Sequence, residues 1–345
     1  MKKIFFSFVF ISIFINLFSN GLFEHSFSTK SKGELNIYAC CDEKNLVAVC
    51  KKFEKTYGIK TNYQIFSSIE AFTQIKAEKD APNADIWFCG TTDLFNTAAS
   101  EGLLLPYEAE NAKYLVNKIY KDSKNRWHGV YLSILGFYWN SSELRRLKIT
   151  EPKDWEDLLD PKYQGLISFG TPDLTETGRI IVNTIVQQRG IDAAMEYFKK
   201  LHKNVAFYTK TSEESAKLLA TGEAVIGIGF LHNALREIVD FNYENIELAI
   251  PYSGTSFEIE PVAILKNCSN EENAKKFVEF ALSPACVSLA QKNGSYQLLV
   301  LNNAPTVKVA KYAGIEKSNY IGYDFEDARL NGNDYCKLFF EAIKE

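Results

Sequence analysis

The sequence predicts an α/β protein with two lobes, each a mostly parallel sheet flanked by helices, hinged by crossing strands. Three observations lead to this prediction. Short apolar runs typical of buried strands alternate with segments of helical spacing from residue 34 onward. A long apolar and aromatic run at residues 129–140 interrupts the alternation, which then restarts. A chain of 345 residues also exceeds the usual size of a single core.

The first series of elements consists of three apolar runs and the amphipathic segments between them. The predicted strands cover residues 34–40, 59–66 and 84–90, and the predicted helices cover residues 43–58 and 67–80. Gly58 closes the first helix, and Ser67 with nearby Glu70 is typical of a helix start. The repeated order of strand and helix predicts parallel pairing, with helices on both faces of the sheet.

The second series repeats this pattern beyond the long strand. Its predicted strands cover residues 165–170, 204–209 and 224–230, and its predicted helices cover residues 175–190, 212–223 and 234–241. A second crossing is predicted at residues 246–265, after which a helix at 269–283 and the remaining helices return to the first lobe. The predicted first lobe therefore comprises residues 34–133 and 262–345, and the second lobe comprises residues 134–261.

The amino terminus carries an export signature. Lys2 and Lys3 precede an uninterrupted apolar run at residues 4–18, and small residues follow at 19–21. Because the run is short for a membrane span, we predict a cleaved signal peptide at residues 1–21 and a loose leader at 22–33. This places the body of the protein in the periplasm or outside the cell. An uncleaved anchor remains the alternative.

The net charge and the cysteine content limit which classes of partner and cofactor we expect. A net charge of -4 gives no electrostatic footprint for nucleic acid, which we exclude as a partner. Seven cysteines leave at least one thiol unpaired, and Cys40 with Cys89 is one candidate disulfide. No spacing of histidine and cysteine matches a zinc site, so we expect neither a bound metal nor a cofactor. We also expect a monomer.

The predicted binding site lies at the carboxyl ends of the strands, where helix starts converge in open α/β sheets. Five strand-to-helix turns rich in small hydroxyl or amide residues would build it, at residues 39–43, 66–70, 89–93, 171–178 and 230–234. Glu258, near the second crossing, could accept hydrogen bonds from the hydroxyls of a sugar-like ligand. The candidate ligand-binding residues are Cys41, Ser67, Ser68, Thr91, Thr92, Thr175, Thr177, Gly178, His232, Asn233 and Glu258.

Several of these residues have an equally simple structural role. Ser67 and Thr175 are suited to capping a helix, although a cap leaves neighbouring N–H groups free for an anion. Asp93 is suited to capping the helix that follows it, and Glu258 to a solvated hinge. His232 is the strongest candidate because it follows a strand end and is one of four histidines. A backbone hydrogen bond within a turn is its structural alternative.

Enzyme signatures are missing from the sequence. It contains no G-x-S-x-G elbow, no H-E-x-x-H, no phosphate loop of the G-x-x-x-x-G-K type and no dinucleotide fingerprint. We therefore predict a protein that is not an enzyme. An exported phosphate-ester hydrolase and a surface adhesin without a small ligand remain alternatives from other classes.

Two stretches resemble a known family. Residues 75–107, which end in EGLLLPY, and residues 154–172, which begin DWEDLLDPKYQG, are similar to extracellular solute-binding proteins of ABC importers. The resemblance covers residues 34–305 and is to the type II periplasmic binding fold, whose members include ferric-ion binders and their hexose-phosphate and aminoethylphosphonate relatives. It implies two lobes that close around a solute, delivery to a membrane permease, and no catalysis.

The resemblance also bears on the solute. Ferric binders of this family place two adjacent tyrosines at about the position of His232 and Asn233, whereas none of the 18 tyrosines here has a tyrosine neighbour. Phenolates suit a hard trivalent ion better than a neutral imidazole and an amide. The run FLHN instead looks like the F-x-H-D pattern of relatives that bind phosphorylated sugars. This implies a small phosphorylated or phosphonate-bearing solute, held by His232 and by helix starts at Ser67, Thr91 and Thr175. A ferric-ion carrier is the alternative.

Overall fold

A computed structural model describes residues 33–305 and 320–344. The predicted signal peptide, residues 1–21, and the leader up to residue 32 lie outside the described residues. Within the described ranges, no helix combines the length and the apolar character that crossing a bilayer requires.

The described chain alternates strands and helices in the predicted order. The strands are β1 (Glu34–Ala39), β2 (Lys60–Ile65), β3 (Ile86–Phe88), β4 (Leu104–Leu105), β5 (His128–Asn140), β6 (Ile167–Gly170), β7 (Val205–Thr209), β8 (Ile226–Phe230), β9 (Ile246–Ala249), β10 (Phe257–Leu265) and β11 (Leu298–Leu299). The helices are α1 (Glu43–Tyr57), α2 (Ser68–Ala77), α3 (Thr92–Ser100), α4 (Ser141–Leu147), α5 (Glu176–Arg189), α6 (Ile191–His202), α7 (Glu214–Thr221), α8 (Leu231–Asp240), α9 (Glu271–Ala281), α10 (Pro284–Val287), α11 (Leu289–Lys292) and α12 (Phe325–Ala342). Four short 3-10 helices lie at Glu110–Tyr114, Lys118–Tyr120, Trp155–Leu159 and Pro161–Tyr163.

The long strand β5 joins two sets of strands. The main strand order is β2-β1-β3-β10-β5-β8-β6-β7. Strands β1, β2 and β3 pair in parallel at one side of the sheet, and β6, β7 and β8 do so at the other. The first half of β5, to Ile134, pairs with β10, and the second half, from Leu135, pairs with β8. The α/β prediction is therefore confirmed, with the predicted second crossing divided into β9 and β10.

The buried side chains form two hydrophobic clusters. One surrounds β1, β3 and β10, and the other surrounds β6 and β8 with the inner faces of α5 and α6. Helix α12 contributes Tyr335 and Phe339 to the second cluster and also contacts α3. The carboxyl-terminal helix thus touches elements from both sides of the sheet, and the lobe boundaries at residues 134 and 262 stay a prediction.

Helix ends follow the local chemistry that the sequence predicts. Gly58 ends α1 in the left-handed region at φ 70°, which a glycine adopts without steric cost. Ser67 and Glu70 form a reciprocal capping box at the start of α2, because the serine hydroxyl accepts from the Glu70 N–H and the glutamate accepts from the Ser67 N–H. These caps fix where the chain turns from strand to helix, and so where the site residues lie.

Two glycines in β8 make room for one aromatic ring. Gly227 lies directly opposite Tyr138 of β5 in the antiparallel register. A Cβ atom on Gly227 would lie 2.0 Å from Tyr138 Cε2, and one on Gly229 would lie 2.5 Å from the Tyr138 hydroxyl. In the run GIGF, the two glycines leave one face of the strand without side chains, and the fully buried Tyr138 ring lies against that face.

We expect Gly227→Ala to lower the free energy of unfolding by about 1–3 kcal/mol, because the added methyl overpacks the Tyr138 ring. Urea denaturation followed by circular dichroism measures the change. Gly322→Ala is the control, since a Cβ atom there meets nothing within 4 Å, and we expect a change within about 0.5 kcal/mol. Equal losses in the two variants would contradict the packing explanation.

Candidate functional site

A cavity of about 480 Å³ lies among the carboxyl ends of β1, β2 and β8. We call it the cleft chamber. Five of the predicted residues line it: Cys41, Ser67, Thr175, His232 and Asn233. The caps of α2 and α5 and the first turn of α8 are all among its walls. The structure thus brings three of the predicted helix starts to one cavity.

A second cavity of about 360 Å³ adjoins the first, and we call it the helix chamber because Ala328 and Asn333 of α12 line it. Ser68, Thr91 and Glu258 of the predicted residues lie in its wall. The two chambers share a wall made by Ser67, Leu174, Thr175 and Glu176. The Ser68 hydroxyl hydrogen-bonds to the Glu176 carboxyl within this region, and so joins α2 to α5.

Thr92, Thr177 and Gly178 line neither chamber. The Thr92 hydroxyl donates to the Ile259 carbonyl at 3.0 Å, and Thr177 is fully buried. A Cβ atom on Gly178 would lie 2.3 Å from the Gly170 carbonyl oxygen, so this glycine lets α5 pack against the end of β6. Its absent side chain serves helix–strand packing in the structure, whereas the sequence had suggested close approach of a ligand.

The Glu258 carboxyl occupies the start of α3. Its Oε1 accepts from the backbone N–H of Thr92 at 2.8 Å and from that of Ile259 at 3.1 Å. The position at which the sequence suggests an anion near Thr91 is therefore filled by a carboxyl of the chain itself. Burial, followed by the nearby Asp93, raises the pKa of Glu258 to about 8.

His232 provides an uncharged ring in the cleft chamber. It stacks on Phe230 with ring centroids 5.6 Å apart, and its Nδ1 is buried without a hydrogen-bond partner. Burial, with a smaller effect of Arg236, lowers the pKa of His232 to about 4, so the imidazole is neutral at pH 7. Phe230 caps α8 without a side-chain acceptor, which leaves the first N–H groups of that helix to other partners.

The neighbouring Asn233 is partly committed to the protein. Its Nδ2 donates to the Ser212 carbonyl at 3.2 Å. This contact fixes the orientation of the amide and leaves Oδ1 as an acceptor beside the chamber. Asn233 is therefore suited to receive a hydrogen bond from a ligand hydroxyl, as His232 is suited to donate one.

Two carboxyl groups that the sequence interpretation missed line the cleft chamber. Glu260 accepts from Ser133 and from Gln297 Nε2, and burial raises the pKa of Glu260 to about 7. Burial also raises the pKa of Glu176, against the opposing effect of its Ser68 hydrogen bond. Two acidic residues at alternate positions, Glu258 and Glu260, in the otherwise apolar strand β10 were an available signal for Glu260. Gln297 carries no comparable signal.

Ion pairs join helices on opposite sides of the chambers. Arg236 of α8 pairs with Asp42, the cap of α1, at 3.0 Å, and Arg179 of α5 pairs with Asp93 of α3 at 3.2 Å. Arg179 also donates to Asn333 of α12 at 2.6 Å. Both arginines are therefore paired with carboxylates, and Arg179 lines the helix chamber together with Thr91.

Metal chemistry finds no support in the part of the chain that the structure describes. It contains no group of three or more histidine, cysteine, aspartate or glutamate side chains placed to hold a metal ion. All seven cysteines are free, so the Cys40–Cys89 pairing that the sequence suggests is not formed. The Cys40 thiol accepts from Trp87 Nε1 at 3.4 Å, and burial raises its pKa above the ordinary range.

Comparison with known proteins identifies the type of molecule that shares this architecture. A family model for bacterial extracellular solute-binding proteins matches residues 81–325. An uncharacterised protein of Haemophilus influenzae is 36% identical over 305 residues, with 87% of each chain covered. A putative 2-aminoethylphosphonate-binding periplasmic protein of Salmonella typhimurium is 24% identical over 243 residues, with 67% of each chain covered.

Solved structures show the same fold. The periplasmic binding protein AfuA of Actinobacillus pleuropneumoniae, solved with exogenous fructose-6-phosphate bound, is 35% identical with a TM-score of 0.80. The match covers 91% of this chain and 99% of that one. Iron-bound HitA of Pseudomonas aeruginosa has a TM-score of 0.77 at 17% identity, covering 90% and 99%, and this likeness shows the fold alone. The predicted type II periplasmic binding fold is therefore confirmed.

We expect Glu258→Gln to become more stable relative to the wild type as pH rises. Because its pKa is raised, folded Glu258 keeps its proton at pH values where the unfolded carboxyl loses it. Glu258 therefore stabilises the folded wild type fully below about pH 4.5, and this stabilisation is lost as pH rises through about 8. Urea unfolding at pH 5 and pH 8.5 should show the stability difference moving by about 1 kcal/mol or more in favour of the variant.

The control for this experiment is Glu247→Gln, which removes one exposed carboxyl from β9. It should show a pH dependence of unfolding close to that of the wild type. If the stability of Glu258→Gln followed the wild type at both pH values, the buried, protonated carboxyl would be excluded.

Proposed function

The chain belongs to the family of bacterial extracellular solute-binding proteins, and we propose that it captures a small phosphorylated or phosphonate-bearing organic solute of the hexose-phosphate type for an ABC importer. Proteins of this family bind solutes and catalyse no reaction. The solute would lie in the cleft chamber between the starts of α2, α5 and α8, and closure of the two sides would enclose it.

The observation that carries the proposal is the free donor set at the start of α8. Within the part of the chain that the structure describes, the first N–H groups of this helix have no side-chain cap, and Nδ1 of the neutral His232 ring beside them has no hydrogen-bond partner. A phosphoryl or phosphonyl group presents several strong acceptor oxygens, which match such donors at a helix start. Lys210 also lines the chamber and makes no ion pair with a described residue. Its ammonium is therefore available to balance the charge of the solute.

Iron is less compatible with this chamber. Ferric ion is best held by several anionic oxygen ligands, and phenolates are among the most effective. His232 and Asn233 offer a neutral ring and an amide in place of anionic oxygen ligands. The relative at 35% identity was solved with fructose-6-phosphate, which further supports a phosphorylated sugar.

We expect isothermal titration calorimetry to show that fructose 6-phosphate binds at least about 100-fold more tightly than fructose, because the phosphate supplies the charge-assisted hydrogen bonds. His232→Ala should weaken fructose 6-phosphate binding about tenfold or more by removing a donor. His202→Ala is the matched control, since His202 lies on α6 and lines neither chamber.

The result that would contradict the proposal is tight binding of ferric ion, with a visible charge-transfer colour, and no binding of sugar phosphates or phosphonates. Turnover of a chromogenic phosphate ester would instead point to a hydrolase. The fold assignment would stand in either case.

We expect the affinity for fructose 6-phosphate to fall by about three- to tenfold between pH 6.5 and pH 8.5, because Glu260 becomes an anion beside the bound phosphate. The pKa of Glu260, about 7, lies inside this window, whereas a phosphate monoester has completed most of its own ionisation. Glu260→Gln should bind with nearly constant affinity over the same range. An equally steep decline in the variant would show that another group is responsible.

A further inference from the structure

We propose that the helix chamber is a second binding compartment, which takes the uncharged, hydroxyl-bearing end of a solute whose phosphate lies in the cleft chamber. This inference rests on the proposed function and extends it from a single phosphorylated ring to a longer phosphorylated molecule. The helix chamber would then have a binding role of its own. The free N–H donors at the start of α8 lie in the cleft chamber instead.

The size and position of the helix chamber fit such a role. Its volume of about 360 Å³ is within the range of small-molecule sites, and it is additional to the 480 Å³ of the cleft chamber. The two share the wall that contains Glu176 and Thr175. A solute longer than one ring that is anchored at the start of α8 can therefore extend across this wall.

Asn183 provides a binding group that the protein leaves incomplete. It is 3% exposed and lines the helix chamber, and its Oδ1 accepts no hydrogen bond from any residue in the described ranges. Its Nδ2 donates to the Tyr323 hydroxyl at 3.3 Å, which holds the amide in place. A buried acceptor without a donor is unfavourable, so a ligand that supplies a donor gains directly from the contact. A sugar hydroxyl supplies one.

The charges of the helix chamber explain why its occupant would be uncharged. Both cations in its wall are paired, Arg179 with Asp93 and Arg329 with Glu326. The Glu258 carboxyl lines the same chamber, and burial raises its pKa to about 8, so it carries little negative charge at pH 7. A phosphate here would meet carboxylates and no free cation, so the phosphate belongs in the cleft chamber.

The remaining walls of the helix chamber are largely apolar. They consist of side chains from α2, α3, α5 and α12 or near them: Ile69, Phe72, Leu94, Ile180 and Phe325. Apolar walls with a few fixed polar groups are the usual composition of small-molecule sites. The combination of Asn183, Glu258 and these faces suits a ring with hydroxyl groups at its edge and C–H groups on its faces.

The contact between Ser68 and Glu176 lies at the wall that the two chambers share. Ser68 is 1% exposed and belongs to the helix-chamber wall, whereas Glu176 belongs to both walls. A solute that spans the chambers must displace this hydrogen bond, or pass beside it. The displaced Glu176 carboxyl is then placed to accept from a hydroxyl in the middle of the solute.

The test compares two probes, fructose 6-phosphate and trehalose 6-phosphate, by titration calorimetry on the full mature chain. Asn183→Leu removes the unpartnered acceptor at similar volume, and Ile69→Trp narrows the helix chamber from a half-exposed position. Ile65→Trp is the matched control, since Ile65 is similarly exposed and lines neither chamber. Each chamber variant should weaken trehalose 6-phosphate about tenfold and leave fructose 6-phosphate within about twofold of the wild type.

The outcomes separate this inference from the proposed function. If fructose 6-phosphate binds and trehalose 6-phosphate does not, or if both chamber variants bind trehalose 6-phosphate like the wild type, the second compartment is excluded and the proposed function stands. Equal weakening of both probes also excludes it. If neither phosphate binds, the second compartment and the hexose-phosphate assignment are both wrong, whereas the proposed function stands if a phosphonate binds in the cleft chamber. If an aminoalkyl phosphonate bound tightly to the wild type and not to Asn183→Leu, the group held in the helix chamber would be an ammonium and not a hydroxyl. The stated ligand class would then be wrong.

Discussion

The division of β5 into two pairing halves is the constraint on which the chambers depend. Up to Ile134 the strand is held by β10, and from Leu135 it is held by β8, so one continuous backbone belongs to both sets of strands. Parallel strands on either side then end near the same region, and each delivers a helix start to it. The cleft chamber is a direct result of this geometry.

Carboxyl groups of the chain occupy two of the helix starts that this geometry creates. Glu258 accepts from the first N–H of α3, and Glu176 contacts Ser68 at the start of α2. Glu258 is buried and Glu176 is half-buried, and burial raises the pKa of each, to about 8 for Glu258. Among the described residues, no side chain caps the start of α8, so this helix start differs from that of α3, where the Glu258 carboxyl accepts from the first N–H.

Local chemistry made much of this structure predictable from sequence. The capping box at Ser67, the end of α1 at Gly58 and the strand that leads to His232 all depend on residues close together in the chain. The assembly of Cys41, Ser67, Thr175 and His232 in one cavity followed from the rule for strand ends.

The remaining features depend on contacts that the sequence does not display. Gly178 is required by the Gly170 carbonyl, and Gly227 by the ring of Tyr138, which is distant in sequence. The placement of α12 beside the helix chamber and the pairing of Arg179 with Asp93 depend on how distant helices pack. No periodicity or motif reports such pairings, which is why Asn183 was absent from the predicted site.

The Glu176 contact with α2 has a consequence for how quickly a solute is exchanged. An arriving anion that uses the start of α2 competes with a carboxyl tethered a few ångströms away, whose effective concentration is high. This competition lowers the apparent affinity for the solute without removing any contact to it, because displacing the Glu176 carboxyl costs part of the binding free energy. On departure the same side chain refills the helix start, which shortens residence time and favours rapid unloading over tight storage.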